Sequence, residues 1–168
     1  MSIATSGNDC LLVQGSTNIS ALSGSSTLWK SNAQFTGTTY GGSLCTSINC
    51  NATCVTGDYI QIIMPLSFRF WSVSITSGAY GSQRPPNAFL VFGSNSFYDW
   101  TQLASFSMTG TWPSNQLSTV AFNSSSSSNF YKFYRLSFQS AWQTQAGSNS
   151  IGIHGLSFNG YFARRSFK

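Results

Sequence analysis

An all-β chain of about eight antiparallel strands, with little or no helix, is what three features of this sequence predict. Apolar residues alternate with period two from Gly57 to Ile63 and again from Phe68 to Ile75, the pattern of strands with one buried face. A four-residue apolar run, Phe89 to Phe92, is bounded by Pro85-Pro86 and by Gly93-Ser94-Asn95, as a buried strand ending in a turn should be. Aromatics make up 15% of the chain and charged residues only 7%, and there is no Glu at all. The helix formers Glu, Lys and Ala give way to Ser, Thr, Asn and Gln. At 168 residues the chain reads as one domain, large enough to bury a core.

Taken in order, residues 1–9 form an N-terminal arm with neither the basic head nor the apolar stretch of an export signal. Leu11-Leu12-Val13 is a first strand and far too short to span a membrane. After the polar stretch Ser16 to Ser26, Thr27 to Lys30 and Phe35 to Tyr40 are short segments joined by Gly and Asn turns. Tyr59, Gln61 and Ile63 alternate with Ile60, Ile62 and Met64 until Pro65, which is expected to stop the strand. In the next strand Trp71, Val73 and Ile75 are expected on one face and Ser72 and Ser74 on the other. Ser77 to Asn87 is a loop holding Tyr80 and Arg84, and Asp99-Trp100-Thr101 restarts the alternation after Phe89 to Phe92. Trp112, between Gly110 and Pro113, falls on a loop. Val120 to Phe122 is a short strand, Ser124 to Ser128 a low-complexity turn, and Tyr131 to Phe138 a central strand. Trp142 opens the loop 143–150, and a last strand starts at Ile151. Arg164, Arg165 and Lys168 make residues 163–168 a solvated basic tail.

Cys45, Cys50 and Cys54 lie close together with Cys10 far upstream, and four cysteines allow three pairings. A Cys-x4-Cys-x3-Cys spacing without any Cys-x2-Cys pair, and with the single His remote, favours disulfides or buried thiols over zinc. Cys10 with one of the other three would tie the first strand to the loop, and an oxidising location would favour such a bond.

Three ordered segments carry a resemblance: Pro85 to Trp100, Tyr131 to Phe138 and Ile151 to Gly160. Together with the Gly57 to Ile63 strand and its Pro turn they resemble the discoidin-like domains. These are the coagulation-factor type C branch of the galactose-binding-like jelly rolls, which include many carbohydrate-binding modules. The resemblance covers residues 57 to 161 firmly and Trp29 and Tyr40-Gly41-Gly42 loosely, and it implies a jelly-roll β-sandwich. In wording it is closest to modules of large-virus capsid and phage proteins, which also end near the equivalent of Asn159-Gly160-Tyr161. Family members carry an Arg at the position of Arg135, which is read here as structural and paired with a group such as Asp99. Many members bind calcium through a Glu whose place is taken here by Gly155. Calcium is therefore not expected, and a site on Asp9 or Asp58 with carbonyls is the remaining option.

Three Asp, one His and four Cys are a thin supply for catalysis. No Gly-x-Ser-x-Gly elbow is present, His154 sits among Ile151, Ile153, Leu156 and Phe158, and paired carboxylates are missing, so an enzyme is not expected. The net charge of +5 reflects missing acids, and no arginine stripe interleaves with stacking aromatics, which argues against nucleic acid. Membrane insertion would need apolar loop tips with paired bases, and only Arg84 stands near Tyr80. Galactose-binding-like jelly rolls use loops at one end of the sandwich, where a sugar ring stacks on an aromatic face and polar side chains bond its hydroxyls. Tyr80, Arg84, Asn87, Trp112 and Trp142 are the candidates for that role, with Trp112 and Trp142 equally readable as caps on the core. The expected function is a non-enzymatic binding module on a virion or other extracellular surface. It would serve attachment or assembly through a cell-surface glycan or a neighbouring capsid protein, without a cofactor. The alternative is a purely structural minor capsid or capsid-decoration protein with no small ligand. Sequons at Asn18, Asn51 and Asn123 decide little in a chain so rich in Asn and Ser.

Overall fold

The computed structural model describes residues 11–14, 29–31, 35–36, 38–42, 45–47, 54–77, 84–96, 99–113, 116, 118–124, 129–142 and 150–163. The strands are β1 (Leu11–Gln14), β2 (Trp29–Lys30), β3 (Phe35–Thr36), β4 (Thr39–Tyr40), β5 (Cys45–Ser47), β6 (Cys54–Thr56) and β7 (Asp58–Ser77). They continue with β8 (Pro86–Ser94), β9 (Thr101–Ser107), β10 (Ser118–Asn123), β11 (Tyr131–Ala141), β12 (Gly152–Ile153) and β13 (Gly155–Phe162). No described residue is helical. The arm and all of the tail except Ala163 lie outside the described residues.

β7 organises the molecule, because its two halves belong to two layers. Its first half pairs antiparallel with β1 and β11, and β8 and β9 follow beyond β11, which gives the layer β1-β7-β11-β8-β9. Its second half lies between β10 and β13 in a three-stranded layer. The two layers face each other through aromatic rings. Phe89 and Phe106 of the larger layer meet Phe122 of the smaller at 4.8 and 5.6 Å between ring centroids, and Tyr134 meets Phe158 at 5.7 Å. Each such ring, once buried, contributes roughly 1.5–3 kcal/mol. The jelly-roll β-sandwich implied by the resemblance is thus the fold observed, and the β3–β4 pair joins the larger layer at the end of β11.

Two expectations are corrected. Pro65 does not stop a strand: β7 runs through it unbroken for 20 residues. Pro65 is exposed and falls between the stretches paired to the two layers, where a missing N–H costs no ladder bond. Trp71 does not share the inward face of Val73 and Ile75 but is 54% exposed. The β7–β13 register shifts between Asn159, opposite Ser72, and Gly160, opposite Phe70. Trp71 is the extra residue of this bulge, and the bulge reverses the alternation, so that Phe68 and Phe70 point inward before it and Val73 and Ile75 after it.

The Phe89 to Phe92 run is buried on both faces, as a continuous apolar run requires. Phe89 and Val91 enter the main core, while Phe92 joins Trp100 and Phe133 in a second, smaller core on the outer face of the larger layer. Val55, from the β5–β6 hairpin, packs against this second core. Arg135 sits beside it with its guanidinium between two rings, 4.3 Å from the Tyr59 centroid and 4.2 Å from that of Trp100. Its Nε donates to Gln61 Oε1 at 2.8 Å. Arg135 is structural, and its partners are these groups rather than Asp99, which is exposed.

Tyr134 is fully buried, and its hydroxyl donates to the Phe68 carbonyl at the turn from one layer to the other. Burial raises its pKa well above the ordinary tyrosine value. Below the ordinary value folded and unfolded chains both keep the proton, so the stabilisation is complete. Above it only the unfolded chain releases the proton, and stability falls by about 1.4 kcal/mol per pH unit until the folded group titrates. Equilibrium denaturation of Tyr134→Phe should lose that component of the alkaline decline. At neutral pH the variant should be about 1–3 kcal/mol less stable, because the Phe68 carbonyl loses its donor.

Candidate functional site

Where β7 ends and β8 begins, four consecutive carbonyls tie together one end of the sandwich. The Arg84 carbonyl accepts from Gly152 N–H at 2.9 Å and the Pro85 carbonyl from Trp142 N–H at 2.8 Å. The Pro86 carbonyl accepts from the Trp112 indole Nε1–H at 3.0 Å, and the Asn87 carbonyl from Met108 N–H at 2.8 Å. Two prolines suit such a stretch, since they hold the chain extended and leave its carbonyls to be shared. The donors come from the start of β12, the exit of β11 and the β9–β10 connection, so three separate chain segments converge on residues 84–87. A parallel bridge between Arg84 and Ile151, with Arg84 N–H donating to Ser150 O at 3.2 Å, closes the arrangement.

Four of the five residues singled out for sugar chemistry meet at this end. They are not equally available. Trp112 is 4% exposed and belongs to the main core, and Arg84 is 6% exposed. An indole with so little surface offers no free face for stacking, so Trp112 and Arg84 form the floor of the end rather than its contact surface. Trp142 and Asn87 are half-buried, with Trp142 packed against the core and Asn87 Nδ2 donating to Ser140 Oγ at 3.2 Å. Tyr80 lies outside the described residues.

The remaining chemistry here is sparse. Asp58 is fully buried, and its Oδ1 accepts from Tyr59 N–H at 2.9 Å. His154 stands at the break between β12 and β13 rather than inside one strand, and burial lowers its pKa, so it is neutral at neutral pH. No group of three or more His, Cys, Asp or Glu side chains that could hold a metal ion occurs among the described residues. Cys54 is disulfide-bonded, and the side chains of Cys10, Cys45 and Cys50 lie outside the described residues.

A second cluster escaped the sequence. On the outer face of the three-stranded layer, Trp71 and Tyr161 stand edge to face with centroids 6.0 Å apart and planes at 77°. The Arg69 guanidinium lies 5.2 Å from the Tyr161 ring and 5.8 Å from that of Phe130. The parity reversal at the bulge creates this surface, and its one sequence trace is Gly160, a glycine inside a strand pattern.

No protein-family model matches the chain, and no curated protein matches it. Among solved structures it is similar to a family 89 glycoside hydrolase from Clostridium perfringens in complex with 2-acetamido-1,2-dideoxynojirmycin. That match has 11% identity and a TM-score of 0.52, and covers 90% of this chain and 14% of that one. It is also similar to the family 32 CBM from C. perfringens NanJ in complex with galactose (15% identity, TM-score 0.49, 89% and 92% of the two chains). A third similar structure is the C-terminal domain of a chitobiase from Bacteroides fragilis (17% identity, TM-score 0.47, 66% and 67%). The chain thus spans a small part of the hydrolase, and the likeness at 0.52 is one of fold: the two-layered β-sandwich described above.

Proposed function

We propose that the chain is a non-catalytic module that binds a neutral glycan at the end built on residues 84–87. The observation that carries this reading is the convergence there of Arg84, Asn87, Trp112 and Trp142 from three chain segments. Trp142 supplies the stacking face and the Asn87 amide bonds a ring hydroxyl, while Arg84 and Trp112 hold both in place from below. The fold likeness to a segment of a glycoside hydrolase is consistent with such a role, and galactose, which a similar structure holds, is a sensible first probe. The scarcity of acids and the buried state of Asp58 support a role without catalysis. The disulfide at Cys54 supports an oxidising, extracellular setting. That the setting is a virion surface, with attachment to a host glycan as the outcome, rests on the wording of residues 57–75 and 159–161 alone. Antibody labelling of intact particles would test it.

A glycan array with the full chain tests the binding reading. Trp142→Ala and Asn87→Ala should each weaken a neutral hit by roughly five- to thirtyfold while the chain stays folded, since each removes a contact worth about 1–2 kcal/mol. Retention of the hit by both variants would place glycan binding away from residues 84–87, and no hit at all would favour the purely structural capsid protein instead. Trp112→Ala would be a poor probe, because it empties a core position.

A further inference from the structure

We infer that the outer face of the three-stranded layer carries a second binding site, formed by Trp71, Tyr161, Phe130 and Arg69, whose ligand is an acidic polysaccharide. Trp71, Tyr161 and Phe130 are the large apolar side chains most exposed among the described residues, at 54%, 52% and 37%. Tyr161 and Phe130 flank one cation, Arg69, and Trp71 meets Tyr161. Large aromatics on a monomer's surface call for an explanation when they are contiguous rather than scattered. Here a β-bulge leaves Trp71 outward, in phase with inward Phe68 and Phe70 but out of phase with inward Val73 and Ile75.

The geometry suits a saccharide. Trp71 and Tyr161 are held on paired strands, so little side-chain freedom is lost when they are used. Their planes at 77° make a corner in which a pyranose ring stacks on one face and abuts the other. The rim consists of hydroxyls and amides: Asn159 Nδ2 donates to Ser72 Oγ at 3.1 Å, and exposed Asn123 stands opposite Ser72 across the β7–β10 ladder. A protein partner of ordinary size would need a contact of about 1,600 Å² with an apolar centre. Three aromatics within a Ser and Asn surround match a sugar better.

Arg69 decides that the sugar is acidic. Its guanidinium is drawn over the Tyr161 and Phe130 rings, and none of its N–H donors reaches an acceptor among the described residues. A planar fork of five donors fixed by two rings is matched by a carboxylate or a sulfate, which it can hold through two parallel hydrogen bonds. Exposed Lys132 follows Phe130 by two positions, and neither β10, β13 nor the second half of β7 contains an acid that would compete. The site lies away from residues 84–87 and does not depend on the loop-end reading.

Affinity electrophoresis of the full chain in gels containing polygalacturonate, heparin or neutral galactan tests this inference. Polygalacturonate separates a carboxylate requirement from the sulfate of heparin. Wild type should be retarded by at least one acidic polymer, with retardation falling as salt rises. Trp71→Ala and Arg69→Gln should each weaken that binding at least tenfold at unchanged thermal midpoint, whereas Trp142→Ala should leave it unchanged. Both substituted side chains are at least partly exposed, so either variant alone suffices if the other folds poorly. No retardation by either acidic polymer would overturn the site, as would retardation that survives both substitutions. The second result would point to unspecific attraction by the chain's other bases.

Discussion

Replacement of Phe89 by Ala should cost about 3–5 kcal/mol of unfolding free energy. Phe89 is 1% exposed and stands on β8 in the larger layer. Its ring meets Phe122 of the opposite layer nearly at right angles, with centroids 4.8 Å apart, and lies 5.2 Å from Phe106 and 5.9 Å from Phe138. Removal of the ring therefore opens a cavity between the layers rather than at an edge. The surrounding side chains are themselves rings on paired strands, and they cannot collapse into the space without shifting the ladders. Urea denaturation should show a lower midpoint at nearly unchanged slope, and the thermal midpoint should fall by roughly 10 °C or more. A loss below about 1 kcal/mol would mean that the layers are not packed through this ring.

The second large effect is expected at Gly160. A Cβ there would lie 2.0 Å from the Arg69 carbonyl oxygen and 2.5 Å from Phe68 Cζ. The first of these atoms is backbone, so relief requires opening the β7–β13 ladder at its bulge. Gly160→Ala should cost about 2–3 kcal/mol by overpacking. It should also displace Arg69 and so weaken acidic-polymer binding. Gly110 provides the control, since the nearest atom to a Cβ there is Met108 Cε at 3.8 Å, and Gly110→Ala should change stability by less than about 0.5 kcal/mol. Denaturation of the two variants side by side checks both statements.

The strands were legible because burial on one face writes period two into β7, and burial on both faces writes an apolar run into β8. What misled was local. Pro65 reads as a terminator because a proline removes a donor, yet at the crossing between layers no donor is needed. Trp71 reads as a core residue because alternation assumes an unbroken register, and a bulge reverses it. The second cluster was invisible for the same reason, since it depends on which face a single tryptophan takes. At the loop end, turn chemistry around Pro85-Pro86 and Pro113 placed Arg84, Asn87 and Trp112 outside the regular strands, and Trp142 was read as opening the loop 143–150; all four lie around residues 84–87, but β8 begins at Pro86 and takes Asn87 into a strand. Their depth was not legible: whether an indole in a loop caps the core or faces solvent depends on the hydrogen bond from Trp112 to the Pro86 carbonyl, a contact 26 residues away in sequence. Arg135 likewise takes two aromatic faces, from β7 and the β8–β9 connection, as its partners rather than the expected acid Asp99.

At the end of the sandwich built on residues 84–87, Asn87 and Trp142 are the groups proposed to contact a neutral saccharide. The most direct measurement is a titration of the isotope-labelled full chain with galactose and the neutral array hits, followed by amide and indole N–H resonances. The Trp142 indole, the Asn87 side-chain amide and the backbone amides around Gly152 should shift with a common saturation curve. The Trp112 indole, held on the Pro86 carbonyl, should move little. Shifts confined to other parts of the sandwich, or none at saturating neutral sugar, would contradict it.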